Sequence, residues 1–513
     1  SVVYTGDSLY CANQGEPITP RGVEAILGAY NSDKRNNQIG RFGVGFKCVL
    51  AVSSAPQFFS RSGSFYFDPG QAKADIRAVV DEERTPALRM AYPLDPKGER
   101  AKDPVLAELM EWADTIVRLP LDQAEVGWLP HDLREFPAQF MLFSPHVGLL
   151  ELDDRVSRSV RQIEASVLGD SRVLLTEDGQ ESEWRVVTSE VEMSADIRSE
   201  AGELADRDML PLSWAVPLST TQDRGQFWAF FPTQYWTTLR GILNAPWKTN
   251  ADRQNLLESD FNDRLIERAA SMVVDQLSSL STAEDPARHL DYLPGRGREA
   301  PQWADALVTY HVYEMCRYSP SLPDLDGTMT MPEELRVHPA NLGAAAVELF
   351  ASVSRERDWV HPSAEVRNRR GRVDKIVEDL GHRPPTVEAW FGSLCYPDLS
   401  VEESGMVARL ASLIAEEKGL RLIEKEAFVV TASGHLVAPD PTSLFFGDGS
   451  EEADGIALVH PSLEADPEVR ASLESLGIRS LDAIGRLDAL LASADGFAQE
   501  TWEEFWRLSR LVP

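Results

Sequence analysis

Cysteine is scarce in this sequence. Its 513 residues carry four, at positions 11, 48, 316 and 395, and no two form a C-x-x-C pair. That spacing argues against a disulfide framework or a thiolate zinc site and fits reduced thiols in a cytoplasmic setting. Positive charge is also in short supply: 50 Lys and Arg against 82 Asp and Glu leave a net charge of −32. Such a surface repels phosphates, so nucleic acid is an unfavoured partner. No apolar run approaches the roughly 20 residues that a membrane helix needs, and a membrane is not an expected partner either. The nine histidines form no H-E-x-x-H, which argues against a hydrolytic zinc site. The chain has neither an initiator Met nor a basic leader. It opens on the strand-like run Ser1-Val2-Val3-Tyr4, so the expectation is that a parent protein begins upstream.

What is present is globular composition, with 43% hydrophobic and 26% charged residues. The length exceeds what one core accommodates and predicts three or four domains. Residues 2–4 and 9–12 flank Thr5-Gly6-Asp7-Ser8 and predict a hairpin. Thr19-Pro20 reads as an N-cap followed by Pro at the first helical position, with Val23, Ile26, Leu27 and Tyr30 at helical spacing behind it. Residues 31–38 are polar, 40–45 glycine-rich, and 46–52 predict a helix. Strands are expected at 58–60, 64–68 and 115–121, with a helix near 105–112. Further β-like runs at 149–152, 184–187, 214–218 and 227–231 lead to a long amphipathic helix at 261–280. Residues 286–400 show helical periodicity broken by Pro. Residues 401–513 mix helices (407–416, 469–476, 483–492) with short strands (427–430, 455–459).

The segment with the clearest chemistry is Gly40-Arg41-Phe42-Gly43-Val44-Gly45-Phe46-Lys47. Glycines at this spacing let backbone approach a phosphate, and a helix starting behind them turns free N–H groups toward the same anion. From the spacing alone, a tight turn before a core helix is the favoured reading. The polar run before the motif does not suit a dinucleotide-binding fingerprint, and Phe46 stands where a Walker A loop needs Lys.

The order of hairpin, Asn13-Gln14-Gly15, short helix, polar loop, Gly-Arg-Phe-Gly-Val-Gly-Phe-Lys and apolar helix resembles the GHKL ATP-binding superfamily of gyrase, MutL, histidine kinases and heat-shock chaperones. The run Phe58-Phe59-Ser60-Arg61-Ser62-Gly63-Ser64-Phe65-Tyr66-Phe67-Asp68 is similar to its sacsin branch, and Asp114-Thr115-Ile116-Val117-Arg118-Leu119 to the strand that closes the family's domain. The resemblance implies an α+β chain. Its parts would be a Bergerat-type ATP-binding sandwich lacking its first helix (1–121), a transducer-like α/β domain (122–285), a helical region (286–400) and a C-terminal α/β region (401–513).

The resemblance also implies site residues. Asn13 stands where the family has an adenine-binding Asp, and its carbonyl oxygen can accept the same hydrogen bond without charge assistance. Gly15 matches the first glycine of that motif, while Pro17 replaces the second. Thr115 corresponds to a Thr near the adenine edge. Ser32, Lys34 and Arg35 would lie on a lid over the phosphates, and Gly40, Arg41, Phe42, Gly43, Val44, Gly45, Phe46 and Lys47 would cradle them. Arg253, or Lys248 in its place, precedes a helix as does the chaperones' γ-phosphate Arg, and would offset charge on the transferred phosphoryl group. The family's Mg²⁺-binding Asn and water-activating Glu precede the first strand of this sequence. Hydrolysis is therefore expected to need an upstream segment. The implied function is a cytoplasmic, ATP-dependent, chaperone-like machine that uses ATP and Mg²⁺. A protein client or partner would bind through the C-terminal region, and a homodimer is among the implied assemblies. The alternatives are a non-catalytic interaction scaffold and, less favoured by the charge, a MutL-like DNA repair or defence partner.

Overall fold

Val2–Tyr4 (β1) and Ser8–Asn13 (β2) form the expected hairpin, with Tyr4 opposite Leu9 and Gly6 at φ +93° in the turn, a conformation that glycine takes without a Cβ clash. The computed structural model describes residues 1–27, 49–79, 90–122, 126–205, 207–218, 224–295, 302–366, 368–419, 423, 425–447, 456–493 and 499–510. Pro20–Leu27 (α1) begins behind Thr19, whose Oγ1 accepts the Gly22 N–H at 3.1 Å. Gln57–Ser60 (β3) and Gly63–Tyr66 (β4) make a second hairpin, followed by Pro69–Arg77 (α2) and Tyr92–Pro93 (β5). Pro96–Lys102 (α3) and Pro104–Leu109 (α4) each start with an Asp cap and Pro at the first position. Thr115–Pro120 (β6) and Leu129–Arg134 (α5) follow.

The chain then runs through a long meander. Its strands are Leu149–Asp154 (β7), Ser159–Gly169 (β8), Arg172–Glu177 (β9) and Gln180–Glu192 (β10). After Ala195–Glu200 (α6) come Met209–Pro217 (β11), Gly225–Trp228 (β12), Pro232–Thr237 (β13) and Ile242–Asn244 (β14). Asp260–Asp275 (α7) and Trp303–Arg317 (α8) complete this part.

All fourteen strands belong to one mixed sheet, in the order β13-β12-β14-β11-β10-β9-β8-β7-β1-β2-β6-β3-β4-β5. The parallel joins are β1–β7 and β12–β14. With a large, mostly antiparallel mixed sheet and a comparable share of helix, the chain is of the α+β class. Pairing of Val2 with Leu152 carries the sheet across residue 122. Tyr10, Ala12, Phe59 and Ile116 pack one face onto Leu106 and Leu109 of α4. On β3–β4, Phe58 and Phe65 stack at 4.7 Å and meet Val23, Ile26 and Leu27 of α1. Farther along, Ile163, Leu175 and Trp184 bury against Met141 and Leu142.

The chain divides into two compact units, Ser1–Met272 with Arg296–Thr309, and Val273–Gly295 with Tyr310–Pro513. The sequence boundaries at 122 and 400 fall inside them. The second unit is mainly helical: Ala344–Val353 (α9), Arg369–Val377 (α10), Val387–Gly392 (α11), Val401–Lys418 (α12), Pro461–Ala465 (α13) and Pro467–Ser475 (α14). Its core includes Phe350, Trp390, Phe391, Leu410, Phe428 and Leu473. α12 starts at a capping box between Ser400 and Glu403, six residues before the expected start at 407, because the first turn is polar and its apolar stripe begins only at Val407. No helix among the described residues is long and apolar enough to cross a membrane.

Candidate functional site

Three of the implied adenine-side residues come together at one end of β2, β6 and β3. Asn13 lies directly opposite Thr115, and Thr115 opposite Ser60. Just past β2, Gly15 takes φ +145° and its N–H donates to Asp114 Oδ2 at 2.9 Å. The other Asp114 oxygen accepts from Arg61 Nε at 2.9 Å, in a pair whose Arg61 side is largely exposed. Ser60 Oγ accepts the Ile18 N–H at 3.0 Å and lies 3.1 Å from Thr115 Oγ1, so it joins the segment after Gly15 to the closing strand. The Asn13 amide Nδ2 donates to the Gln14 carbonyl at 3.2 Å. Its exposed carboxamide oxygen remains open to an incoming donor.

Alternation along β2 fixes the face. Tyr10 and Ala12 are buried toward α4, whereas Cys11 and Asn13 point the other way and are exposed. On the buried side, Tyr10 donates to Asp103 at 2.7 Å and Arg118 bonds Asp103 and Glu99. Burial alone would raise the Asp103 carboxyl. Hydrogen bonds from the Leu106 N–H, Tyr10 and Arg118 instead hold it below the usual carboxylate range. This network ties α3 and α4 to the back of the strands that carry Asn13 and Thr115. Sequence reasoning did not assign roles to Ser60, Arg61 or Asp114. Asp114 immediately precedes Thr115, and only the strand register shows that it reaches Gly15.

Ser32, Lys34, Arg35 and residues 40–47, from Gly40 to Lys47, lie outside the described residues. Among the described residues, no group of three or more His, Cys, Asp or Glu could hold a metal ion.

Lys248 and Arg253 lie elsewhere. Both line a cavity of about 460 Å³ with Leu204, Phe230, Trp247 and Asn250. Lys248 Nζ is 3.8 Å from Glu200 Oε2 and 5.4 Å from the Phe261 ring centroid. Arg253 has φ +61° and Phe230 φ +67°, left-handed backbone that side chains other than glycine rarely adopt. The loop is held by Asn262, which has no exposed surface. Its Oδ1 accepts the Lys248 N–H at 2.9 Å, and its Nδ2 donates to the carbonyls of Lys248 and Leu257 at 2.9 and 2.7 Å. Asn262→Ala removes three hydrogen bonds to the loop, stranding the Lys248 N–H and the Leu257 carbonyl while the Lys248 carbonyl keeps the Leu257 N–H, and is expected to cost about 2–4 kcal/mol. Urea unfolding measures the loss. Hydrogen exchange should place the earliest opening at residues 248–257, and uniform opening would refute the local role.

In the sheet order, β14, which leads into this loop, and β2 are separated by β11, β10, β9, β8, β7 and β1. At the usual spacing between strands that is on the order of 30 Å along the sheet. The structure thus joins Asn13, Gly15 and Thr115 in one group and Lys248 with Arg253 in another.

No protein-family model matches this chain, and no curated protein matches it.

Proposed function

We propose that the first unit is a GHKL-type, sacsin-like nucleotide-binding module of Bergerat type that takes ATP against the face of β2 and β6 carrying Asn13 and Thr115. The observation that carries this reading is the group at the strand ends. Residues about a hundred positions apart in sequence meet there, with Gly15 held by Asp114 and an amide acceptor at Asn13 left open. An adenine amino group is a donor that suits that oxygen. The glycine run at 40–47 would supply the phosphate contacts through backbone N–H groups. Asp114 is already engaged by Gly15 and Arg61, so it is not a free carboxylate for orienting water. Mg²⁺ has no assigned ligand among the described residues. Turnover on this reading needs a metal ligand and a water-orienting group beyond the described residues. The protein would then act as a chaperone-like ATPase with a protein client.

Calorimetric titration of ATP into the chain tests the reading. Asn13→Ala and Gly45→Ala are each expected to lower affinity by about tenfold or more, the loss of one good hydrogen bond or of close backbone approach. Arg253→Ala, in the separate cavity, should leave affinity within about twofold and act only on turnover. ATP affinity untouched by both Asn13→Ala and Gly45→Ala would leave a scaffold without a nucleotide site.

A further inference from the structure

The cavity of about 460 Å³ at Lys248 and Arg253 lies apart from the adenine side, and the nucleotide reading gives it no ligand of its own. Three segments enclose it: the stretch after α6, the turn between β12 and β13, and the loop from Pro246 to Arg253. Two of its lining residues, Phe230 and Arg253, keep left-handed backbone, which persists only where surrounding contacts impose it. Those contacts are present. The Phe230 N–H donates to Asn244 Oδ1 at 2.9 Å, the Arg253 N–H donates to the Asn250 carbonyl at 3.0 Å, and an isolated bridge joins Thr249 to Leu256. The loop thus holds its side chains in place before any ligand arrives.

In a chain of net charge −32, this lining carries Lys248 and Arg253 and, among the described residues, no carboxylate. Asn250 turns its Oδ1 to the Asn255 N–H at 3.0 Å, which leaves its amide Nδ2 as a further donor. Glu200, outside the lining, has Oε2 at 3.8 Å from Lys248 Nζ and offsets part of that charge. The lining therefore supplies no more than about one uncompensated positive charge, which suits a monoanion better than a phosphate dianion. Most of the remaining wall is apolar, with Leu204 and Trp247 buried and Phe230 beside them. A bare anion would leave that wall against water, whereas an anion with an apolar body covers it. Six strands separate β14 from β2, farther than a nucleotide with its base at Asn13 reaches along the sheet.

We propose that this cavity binds a small monocarboxylic acid with an apolar body, its carboxylate held by Lys248 and Arg253 and its body against Leu204, Phe230 and Trp247. Charge-assisted hydrogen bonds fix the head, and burial of the body supplies the rest of the affinity. The proposal stands or falls independently of the nucleotide site.

The test is calorimetric titration of the full chain, with no nucleotide present, using butyrate, hexanoate and octanoate as probes and hexanamide and inorganic phosphate as controls. Affinity should rise about threefold with each added CH₂, and octanoate should bind with a Kd below roughly 1 mM. Hexanamide and phosphate should each bind at least about tenfold more weakly than hexanoate. Arg253→Gln and Lys248→Gln should each weaken octanoate by about tenfold. Glu200→Gln acts in the opposite direction: it removes the carboxylate that competes for Lys248 and should tighten octanoate by about two- to fivefold, a gain that a structural role does not produce. Its side chain is partly exposed, so this variant decides the matter even where a loop variant fails to fold. Affinity that does not rise with chain length, hexanamide or phosphate binding as tightly as hexanoate, octanoate binding unmoved by Arg253→Gln and Lys248→Gln, or no gain in Glu200→Gln would each overturn the proposal.

Discussion

Arg369→Ala is expected to destabilise the second unit by about 3–5 kcal/mol, a large part of what a domain of this size has. Arg369 is 3% exposed and holds two carboxylates in forked pairs. Its Nη1 and Nη2 reach Asp285 at 2.6 and 2.8 Å, its Nε and Nη2 reach Asp291 at 3.0 and 2.7 Å, and Nη1 also donates to the Ser363 carbonyl at 2.9 Å. A planar guanidinium satisfies both carboxylates at once, which Lys cannot do. Removing it strips two neighbouring carboxylates of the guanidinium that lies between them. The cost is therefore that of the stranded carboxylates more than the worth of the original pairs. Urea unfolding of Arg369→Ala should show the loss directly. Adding Asp285→Asn and Asp291→Asn to Arg369→Met should recover most of it, and a triple variant no better than Arg369→Ala would mean that packing, not charge, was lost.

The second unit should also lose stability steeply as the pH falls from about 6.5 toward 5, before its paired carboxylates titrate. Two imidazoles are responsible, and neither has any exposed surface. His289 donates from Nε2 to the Ser321 carbonyl at 2.9 Å and lies 2.8 Å from Ser281 Oγ through Nδ1. His338 donates from Nε2 to the Val360 carbonyl at 2.7 Å, accepts the Trp390 indole N–H on Nδ1 at 3.1 Å, and stacks on Trp359. Burial pushes each down to about 4, with Arg369 near the first and Arg370 and His361 near the second acting in the same direction. The unfolded chain binds protons on these rings near pH 6.5, the folded chain only near 4. Stability is thus complete above about 6.5 and is lost as the pH falls, at up to about 3 kcal/mol per pH unit for the two together. His361, also lowered by its burial, adds to the same slope. Urea midpoints at pH 7.5, 6 and 5 give the slope. His338→Gln with His289→Gln should flatten it even if the starting stability falls, and a wild-type midpoint unchanged down to pH 5 would exclude the mechanism.

Local signals marked the elements that depend on few residues. The first hairpin, the Thr19 cap of α1, the β3–β4 turn and the strand at β6 follow from glycine, proline and capping chemistry, which acts over a few positions. β8, β9, β13 and β14 escaped notice. β8 carries Ile163 as its single buried residue among Ser, Arg, Gln and Glu, since one face of that strand meets little but solvent. A half-covered strand has a weak apolar alternation, and its partners on either side decide that it is a strand. The run expected at 227–231 stops at Trp228 because Phe230 turns into the left-handed region and its N–H donates to Asn244. Of the aromatic residues in this stretch, Trp228 and Trp247 are buried, while Phe231 and Trp236 remain about half exposed.

The sequence by itself determined the net acidity, the mixed helix and strand composition, and the turn and capping chemistry of the first hairpin and α1, because these are properties of residue type and near neighbours. Only the tertiary structure decided that Asn13 faces Thr115, that Asp114 holds Gly15, and that Lys248 and Arg253 share a different cavity. The same is true of the buried Arg369 between two aspartates and of the unpaired ring nitrogens of Trp359 and His382. Each of these depends on strand register or on a contact across tens of residues. A shift of one residue in a strand would turn every side chain to the other face without changing a single local preference.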